Sequence, residues 1–148
     1  MVYPQVGEVF ELEIDGNASE NTPSEIIRSF GYNPNGWKFS GPVVMGKKSC
    51  QVMLVQIGNF QQKLDEIKRM LEAKYGPMPG GQFVKVFKDA CPEPDGKGPV
   101  GIADSQWLDP SGDALFPCIN SFGRSYFGYP DFGFSVSWRW LVSAAPRQ

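Results

Sequence analysis

The sequence predicts a single α+β domain in which an antiparallel sheet is packed by one longer and two shorter helices. Residues 8–15 (EVFELEID) and 132–142 alternate apolar with other side chains, the period of a strand with one buried face. Residues 60–75 repeat apolar side chains every three or four positions, as an amphipathic helix does. The 148 residues suffice for one core, so we expect one domain over 1–148, with the only candidate sub-boundary near residue 92.

Capping and stop signals define the helices. Thr22-Pro23-Ser24-Glu25 combines an N-cap, a proline at the first helical position and a glutamate at the third, which predicts a short helix over 23–30. The longer helix is predicted over 60–75, with Asn59 as its cap. A second short helix is predicted over 82–91, because its apolar side chains share one face and a proline follows.

Two further strand segments complete the predicted sheet. Residues 37–45 and 49–57 are rich in strand formers and are expected to pair as a hairpin. In 132–142 every even position is apolar, and because eleven residues would span about 35 Å, we expect a bend near Gly133. We interpret this apolar face as core, in which case Trp138→Ala costs about 3 to 5 kcal/mol. The alternative is a stacking surface for sugars or bases.

Composition excludes several kinds of chemistry. The chain has no histidine, so Ser-His or Cys-His nucleophile pairs and His-ligated zinc sites are excluded. Its three scattered cysteines, Cys50, Cys91 and Cys118, predict reduced thiols and no disulfide framework. The net charge of −2 gives no drive toward nucleic acid. Without a signal-peptide pattern or a membrane-spanning apolar run, we expect a cytoplasmic protein without membrane contact.

Three short motifs match known binding loops in spacing but not in context. Residues 41–48 have the glycines and lysine of a phosphate loop, but lysine stands where serine or threonine belongs and a strand follows. Residues 96–101 match GxGxxG without the flanking strand and helix. Residues 109–113 start like a calcium loop but lack its glycine and final glutamate. We therefore expect turns here and no cofactor or metal.

The C-terminal half is loop-rich and aromatic, and we expect function there. Residues 120–131 (NSFGRSYFGYPD) join Tyr, Arg and Asn on a glycine-shaped loop, the residues that recognition surfaces favour. Pinning of this loop to the core by its rings is the equally weighted alternative. The leading hypothesis is a non-enzymatic binding module for a protein or glycan. The candidate binding residues are Asp104, Trp107, Asn120, Arg124, Tyr126, Tyr129 and Asp131.

Two other functions remain open from the sequence. A carboxylate-dependent hydrolase would use a pair among four aspartates, provided that two of them converge with different environments. These four are Asp104, Asp109, Asp113 and Asp131. A structural or assembly subunit is the third option, and it would present a large apolar face to a second copy. The sequence does not decide the oligomeric state.

One long stretch carries a family resemblance. Residues 98–141, GPVGIADSQWLDPSGDALFPCINSFGRSYFGYPDFGFSVSWRWL, resemble the C-terminal part of small uncharacterised proteins from bacteria and phages. The shared elements are GP, SW, FPC and WRWL, over roughly the last third of the chain. The resemblance implies no activity and no catalytic residue.

Overall fold

The secondary structure is of the predicted α+β class. Within residues 1–144, which the computed structural model describes, the chain forms three α-helices and eight strands. The helices are α1 (Pro23–Ser29), α2 (Leu64–Tyr75) and α3 (Phe83–Ala90). The strands are β1 (Phe10–Asp15), β2 (Lys38–Phe39), β3 (Lys47–Val55), β4 (Val100–Gly101), β5 (Trp107–Leu108), β6 (Ala114–Ile119), β7 (Ser125–Gly128) and β8 (Arg139–Ser143). No helix in this part of the chain combines the length and apolar character needed to cross a membrane.

All eight strands belong to one mixed, mostly antiparallel sheet. Its order is β1-β3-β8-β4-β6-β5-β2, with β7 also paired to β6. The pair β4–β8 is parallel, which the sequence did not predict. Strand β8 lies between β3 and β4, so strands from before and after residue 92 share the sheet. Four of its five residues are buried, as expected of a strand covered on both faces.

The helices bury the apolar faces that their sequence periods predict. Thr22 caps α1, because its hydroxyl oxygen accepts a hydrogen bond from the Glu25 N–H at 3.3 Å. In α2, Leu64, Ile67 and Leu71 are buried. Helix α3 packs on β1, where the Phe87 ring lies 6.0 Å from the ring of Phe10.

Helix α2 begins four residues later than predicted, and Asn59 does not cap it. Lys63 occupies the N-cap position. The preceding segment leaves the helix to pair with the C-terminal half: Gln61 N–H donates to Phe134 O at 3.1 Å, and Phe134 N–H donates to Gln61 O at 2.7 Å. Phe60 is therefore 60% exposed, although its spacing from Leu64 and Ile67 predicted that it would lie on the buried face of the helix.

The predicted hairpin of residues 37–45 and 49–57 is wrong. Strand β2 pairs with β5, in the register Lys38 to Leu108. Strand β3 pairs with β1 on one side and β8 on the other, in antiparallel register. A strand pairs with the strands against which its side chains pack, and for both β2 and β3 these partners lie elsewhere in the sequence.

The predicted strand over 132–142 is shortened to β8, and its apolar face divides. Gly133 adopts a φ of +87°, which confirms the expected bend. After the bend Phe134 and Trp140 are buried, but Phe132 before it is 76% exposed and Val136 is 51% exposed. Period-two burial holds only while the backbone stays extended, and here a turn interrupts it.

Candidate functional site

Trp107 lies in the core and not on the predicted binding surface. Its side chain is fully buried, with the Phe39 ring at 4.5 Å and the Phe127 ring at 5.3 Å. Strand β5, which carries it, is enclosed by β6 and β2. Its position between Asp104 and Asp109 in the sequence suggested a surface residue. Burying so large a ring stabilises the fold more than leaving it in water would.

Asp104 is also buried, with 6% of its surface exposed. Its Oδ2 accepts a hydrogen bond from the Gly81 N–H at 3.0 Å, and its Oδ1 accepts one from the Gln106 N–H at 3.0 Å. Burial raises the pKa of this carboxyl group, and the backbone N–H groups of Gln106 and Gly81 oppose that rise only in part. Asp104 thus ties the start of α3 to the sheet, and its expected place on the binding surface is wrong.

Asn120, Arg124 and Tyr126 shape or flank the β6–β7 turn. The Asn120 Oδ1 accepts hydrogen bonds from the N–H groups of Phe122 at 2.9 Å and Arg124 at 3.0 Å. This is a local turn role of the kind asparagine favours. The Arg124 side chain is exposed, whereas Tyr126 is half-buried. Burial raises the pKa of Tyr126, and it also raises the pKa of the neighbouring Cys118 to about 12.

Tyr129 belongs to an exposed group of rings. It stacks on Phe132 with 4.8 Å between ring centroids and 30° between ring planes. Tyr129 is 44% exposed and Phe132 is 76% exposed. The ring of Phe60 lies against Gly133, close enough that a Cβ on this glycine would come within 2.7 Å of it. We call Phe60, Tyr129 and Phe132 the aromatic ledge.

Backbone hydrogen bonds hold the ledge in place. Leu64 N–H donates to Pro130 O at 2.7 Å, and Gly133 N–H donates to Gln62 O at 3.1 Å. The Gln62 side chain donates to the Asp131 carbonyl at 2.8 Å. These bonds join the loop to the start of α2, so the exposed rings need little ordering before they bind. Asp131, a predicted site residue, is exposed within this loop.

Two of the three ledge residues were not among the predicted binding residues. Phe60 fitted the helical period of residues 60–75, and Phe132 fitted the strand period of residues 132–142. Gly133 was the sequence signal for the exposure of Phe132. A bend at a glycine ends the alternation of a strand, so the side chain before the bend need not lie on the buried face. Only pairing between segments distant in sequence brings Phe60 and Phe132 to one surface.

Among the other aspartates predicted for a hydrolase, Asp109 stabilises a turn. The Asp109 Oδ1 accepts hydrogen bonds from the N–H groups of Ser111 at 3.0 Å and Asp113 at 2.9 Å. Asp113 and Asp131 are exposed. Among residues 1–144, no group of three or more Asp, Glu, Cys or His side chains is placed to hold a metal ion.

Comparisons with known proteins add no assignment to this geometry. No protein-family model, curated protein or solved structure matches the chain.

Proposed function

We propose that this protein is a non-enzymatic binding domain that recognises a partner protein through the aromatic ledge. The observation that carries the proposal is the stacked, exposed pair Tyr129–Phe132 beside the exposed ring of Phe60. Exposed rings on a firmly held loop lose little freedom on binding and bury much apolar area. Folding alone gives no reason to leave such rings in water.

The composition of the ledge favours a protein over a glycan. Phe60 and Phe132 have no polar atom on their rings, whereas sugar recognition pairs each ring with groups that bond hydroxyls. Protein interfaces are enriched in Phe and Tyr at their centres and place polar groups at the rim. Asp131 and Gln62 stand in that rim position. The net charge of −2 disfavours nucleic acid.

The proposed setting is the cytoplasm of a bacterium or of a phage-infected cell. All three cysteines, Cys50, Cys91 and Cys118, are free thiols, as is usual in reducing compartments. The resemblance of residues 98–141 to bacterial and phage proteins supports the same source.

The test compares three forms of the protein as bait in native lysate. Tyr129→Ala/Phe132→Ala removes the stacked pair, and Phe122→Ala is the matched control because Phe122 is 89% exposed. That residue lies in the β6–β7 turn, outside the aromatic ledge. We expect wild type and Phe122→Ala to retain the same proteins and the double variant to lose them.

Stability and assembly are measured in parallel. The exposed rings contribute little to folding, so the free energy of unfolding should change by less than about 0.5 kcal/mol per substitution. Equal capture by wild type and double variant would contradict the proposal. Loss of a wild-type dimer in the double variant, measured by light scattering, would show the ledge to be a self-association surface instead. Loss of a captured polysaccharide would make the ligand a glycan.

A further inference from the structure

A groove of about 940 Å³ lies on a different part of the molecule from the aromatic ledge. Its walls are the N-terminal segment, residues 1–6, and the loop that follows α3, residues 92–97. Gln56, just after β3, and Arg139, the first residue of β8, complete the lining. The groove therefore lies next to the central strands β3 and β8.

Arg139 is the unusual group in this lining, since its side chain is only 4% exposed. Its Nη1 donates to Asp95 Oδ2 at 2.7 Å, and its Nη2 donates to Asp95 Oδ1 at 2.9 Å and to Gly98 O at 2.6 Å. The Nε–H donor of Arg139 is buried and has no hydrogen-bond partner among the described residues. A buried donor on a charged group is costly to leave unpaired.

Three buried side-chain atoms in residues 1–144 share this condition, and Arg139 Nε is the one whose residue lines the groove. A guanidinium only donates hydrogen bonds, so a group that pairs with Nε–H must be an acceptor such as an oxygen. The Tyr3 ring lies over the guanidinium at 5.3 Å and packs against Phe87 at 5.2 Å. Because Nε is closed to solvent, part of the surrounding wall must move aside for an acceptor to reach it, and Tyr3 is the aromatic ring of that wall.

Charge and polarity narrow the class of acceptor. Asp95 already balances Arg139, and the exposed Glu93 and Lys97 offset each other. The charges of these four side chains sum to zero, so a ligand with one charge costs less to bury beside them than a dianion does. Apolar side chains form much of the remaining wall. They are Met1, Val2, Pro4, Val6 and Pro92.

We propose that this groove binds a small monocarboxylate with an apolar body, whose carboxylate accepts from Arg139 Nε and is attracted by Lys97. The apolar body lies along the N-terminal segment, and the Arg139–Asp95 pair stays intact beneath it. Carboxylate is the natural partner of a guanidinium edge, where charge strengthens the hydrogen bond. This site is independent of the ledge.

The test is an NMR titration of the full chain with phenylacetate, observing the Arg139 Nε–H signal. We expect a saturable shift of that signal together with shifts at Tyr3. Phenylacetamide, which has the same shape without the charge, should bind at least about tenfold more weakly, since a guanidinium bonds a carboxylate more strongly than a neutral carbonyl oxygen. Inorganic phosphate should not compete.

Variants at the rim avoid damage to the fold. Lys97→Gln should weaken phenylacetate binding about threefold, the effect of one exposed charge. Lys48→Gln, an equally exposed position on β3 away from the groove lining, should leave it unchanged. Arg139→Lys breaks a buried ion pair and can unfold the protein, so this variant is not used in the test. An unmoved Nε–H signal, equal binding of phenylacetamide, or equal effects of both lysine variants would overturn the proposal.

Discussion

Arg139 and Asp95 form a bidentate ion pair with distances of 2.7 Å and 2.9 Å, although they are 44 residues apart. The pair joins the first residue of the central strand β8 to the loop after α3. Arg139 is buried, and 24% of the Asp95 side chain is exposed. The geometry matches the planar fork of arginine to the two carboxylate oxygens, which gives the strongest charge-assisted contact available to side chains.

Breaking this pair should destabilise the protein. Asp95→Asn removes the charge but keeps an oxygen that can accept from the Lys97 N–H, as Oδ1 now does at 3.0 Å. We expect a loss of about 2 to 3 kcal/mol at neutral pH, below the value for a fully buried pair because Asp95 remains partly in water. Urea unfolding of wild type and variant measures it. A loss within error of zero would contradict the structural role of the pair.

The same variant gives a pH signature. Burial alone would raise the pKa of Asp95, but hydrogen bonds and charge from Arg139 and Lys97 outweigh burial and lower it. A lowered pKa means that the stabilisation is present above the unfolded value, about 4, and is lost as pH falls through the folded pKa. The difference in unfolding free energy between wild type and Asp95→Asn should therefore shrink with acid. A constant difference would show that ionisation is not its cause.

Asp104 should behave in the opposite direction. Its pKa is raised, chiefly by burial, so the folded protein favours the neutral carboxyl group. Wild type should gain stability from this group as pH falls through the folded pKa toward about 4. Asp104→Asn has no such titration and loses one acceptor, since Gly81 and Gln106 bond different oxygens of Asp104 and Asn has an NH2 group in place of one of them.

We therefore expect Asp104→Asn to cost about 1 to 3 kcal/mol at neutral pH. The difference from wild type should grow on acidification, in contrast to Asp95→Asn. Unfolding of both variants over the same pH series checks the two signs against each other, because the remaining carboxylates cancel in each difference. A difference for Asp104→Asn that shrinks with acid would contradict the assignment.

Gly133→Ala separates the ledge from general stability. Gly133 has a φ of +87° and a new Cβ would meet the Phe60 ring, whereas Gly112 has a φ of +85° with open space around it. Both alanine variants carry backbone strain of about 1 to 2 kcal/mol. Because the Phe60 ring is exposed and can move, the unfolding free energies of the two variants should be similar.

Their partner binding should differ. Gly133→Ala displaces a ledge ring and should reduce capture of the partner protein, while Gly112→Ala should bind as wild type does. Quantitative capture at matched concentrations of folded protein measures the effect. Equal binding by the two glycine variants would place the Phe60 ring outside the interface.

The two tryptophans of β8 and the turn before it should differ in their effect on folding. Trp140 is 1% exposed, whereas Trp138, stacked on it at 5.2 Å, is half-buried. Trp140→Ala should cost about 3 to 5 kcal/mol. Trp138→Ala should cost about 1 to 2 kcal/mol, less than the value of about 3 to 5 kcal/mol for a fully buried ring, because part of its ring is already in water. Unfolding by urea ranks them, and the reverse order would contradict the burial pattern.

The sequence by itself determined the elements whose signals are local. The cap Thr22, the apolar stripe Leu64–Ile67–Leu71 and the bend at Gly133 depend on neighbours within a few positions, and each was predicted. The absence of histidine restricts the chemistry through composition alone, whatever the fold. The local signals are properties of short segments, which fold the same way in many contexts.

Only the tertiary structure decided strand partners and exposure. The choice of β1 and β8 as partners of β3, the burial of Trp107 and Asp104, and the exposure of Phe132 all depend on contacts distant in sequence. The alternation of side chains along a strand shows that its two faces differ. It does not show which element covers the apolar face or where the chain leaves the sheet. The Arg139 groove arises where the sheet brings β3 and β8 together, and the aromatic ledge arises where an isolated bridge joins Gln61 to Phe134.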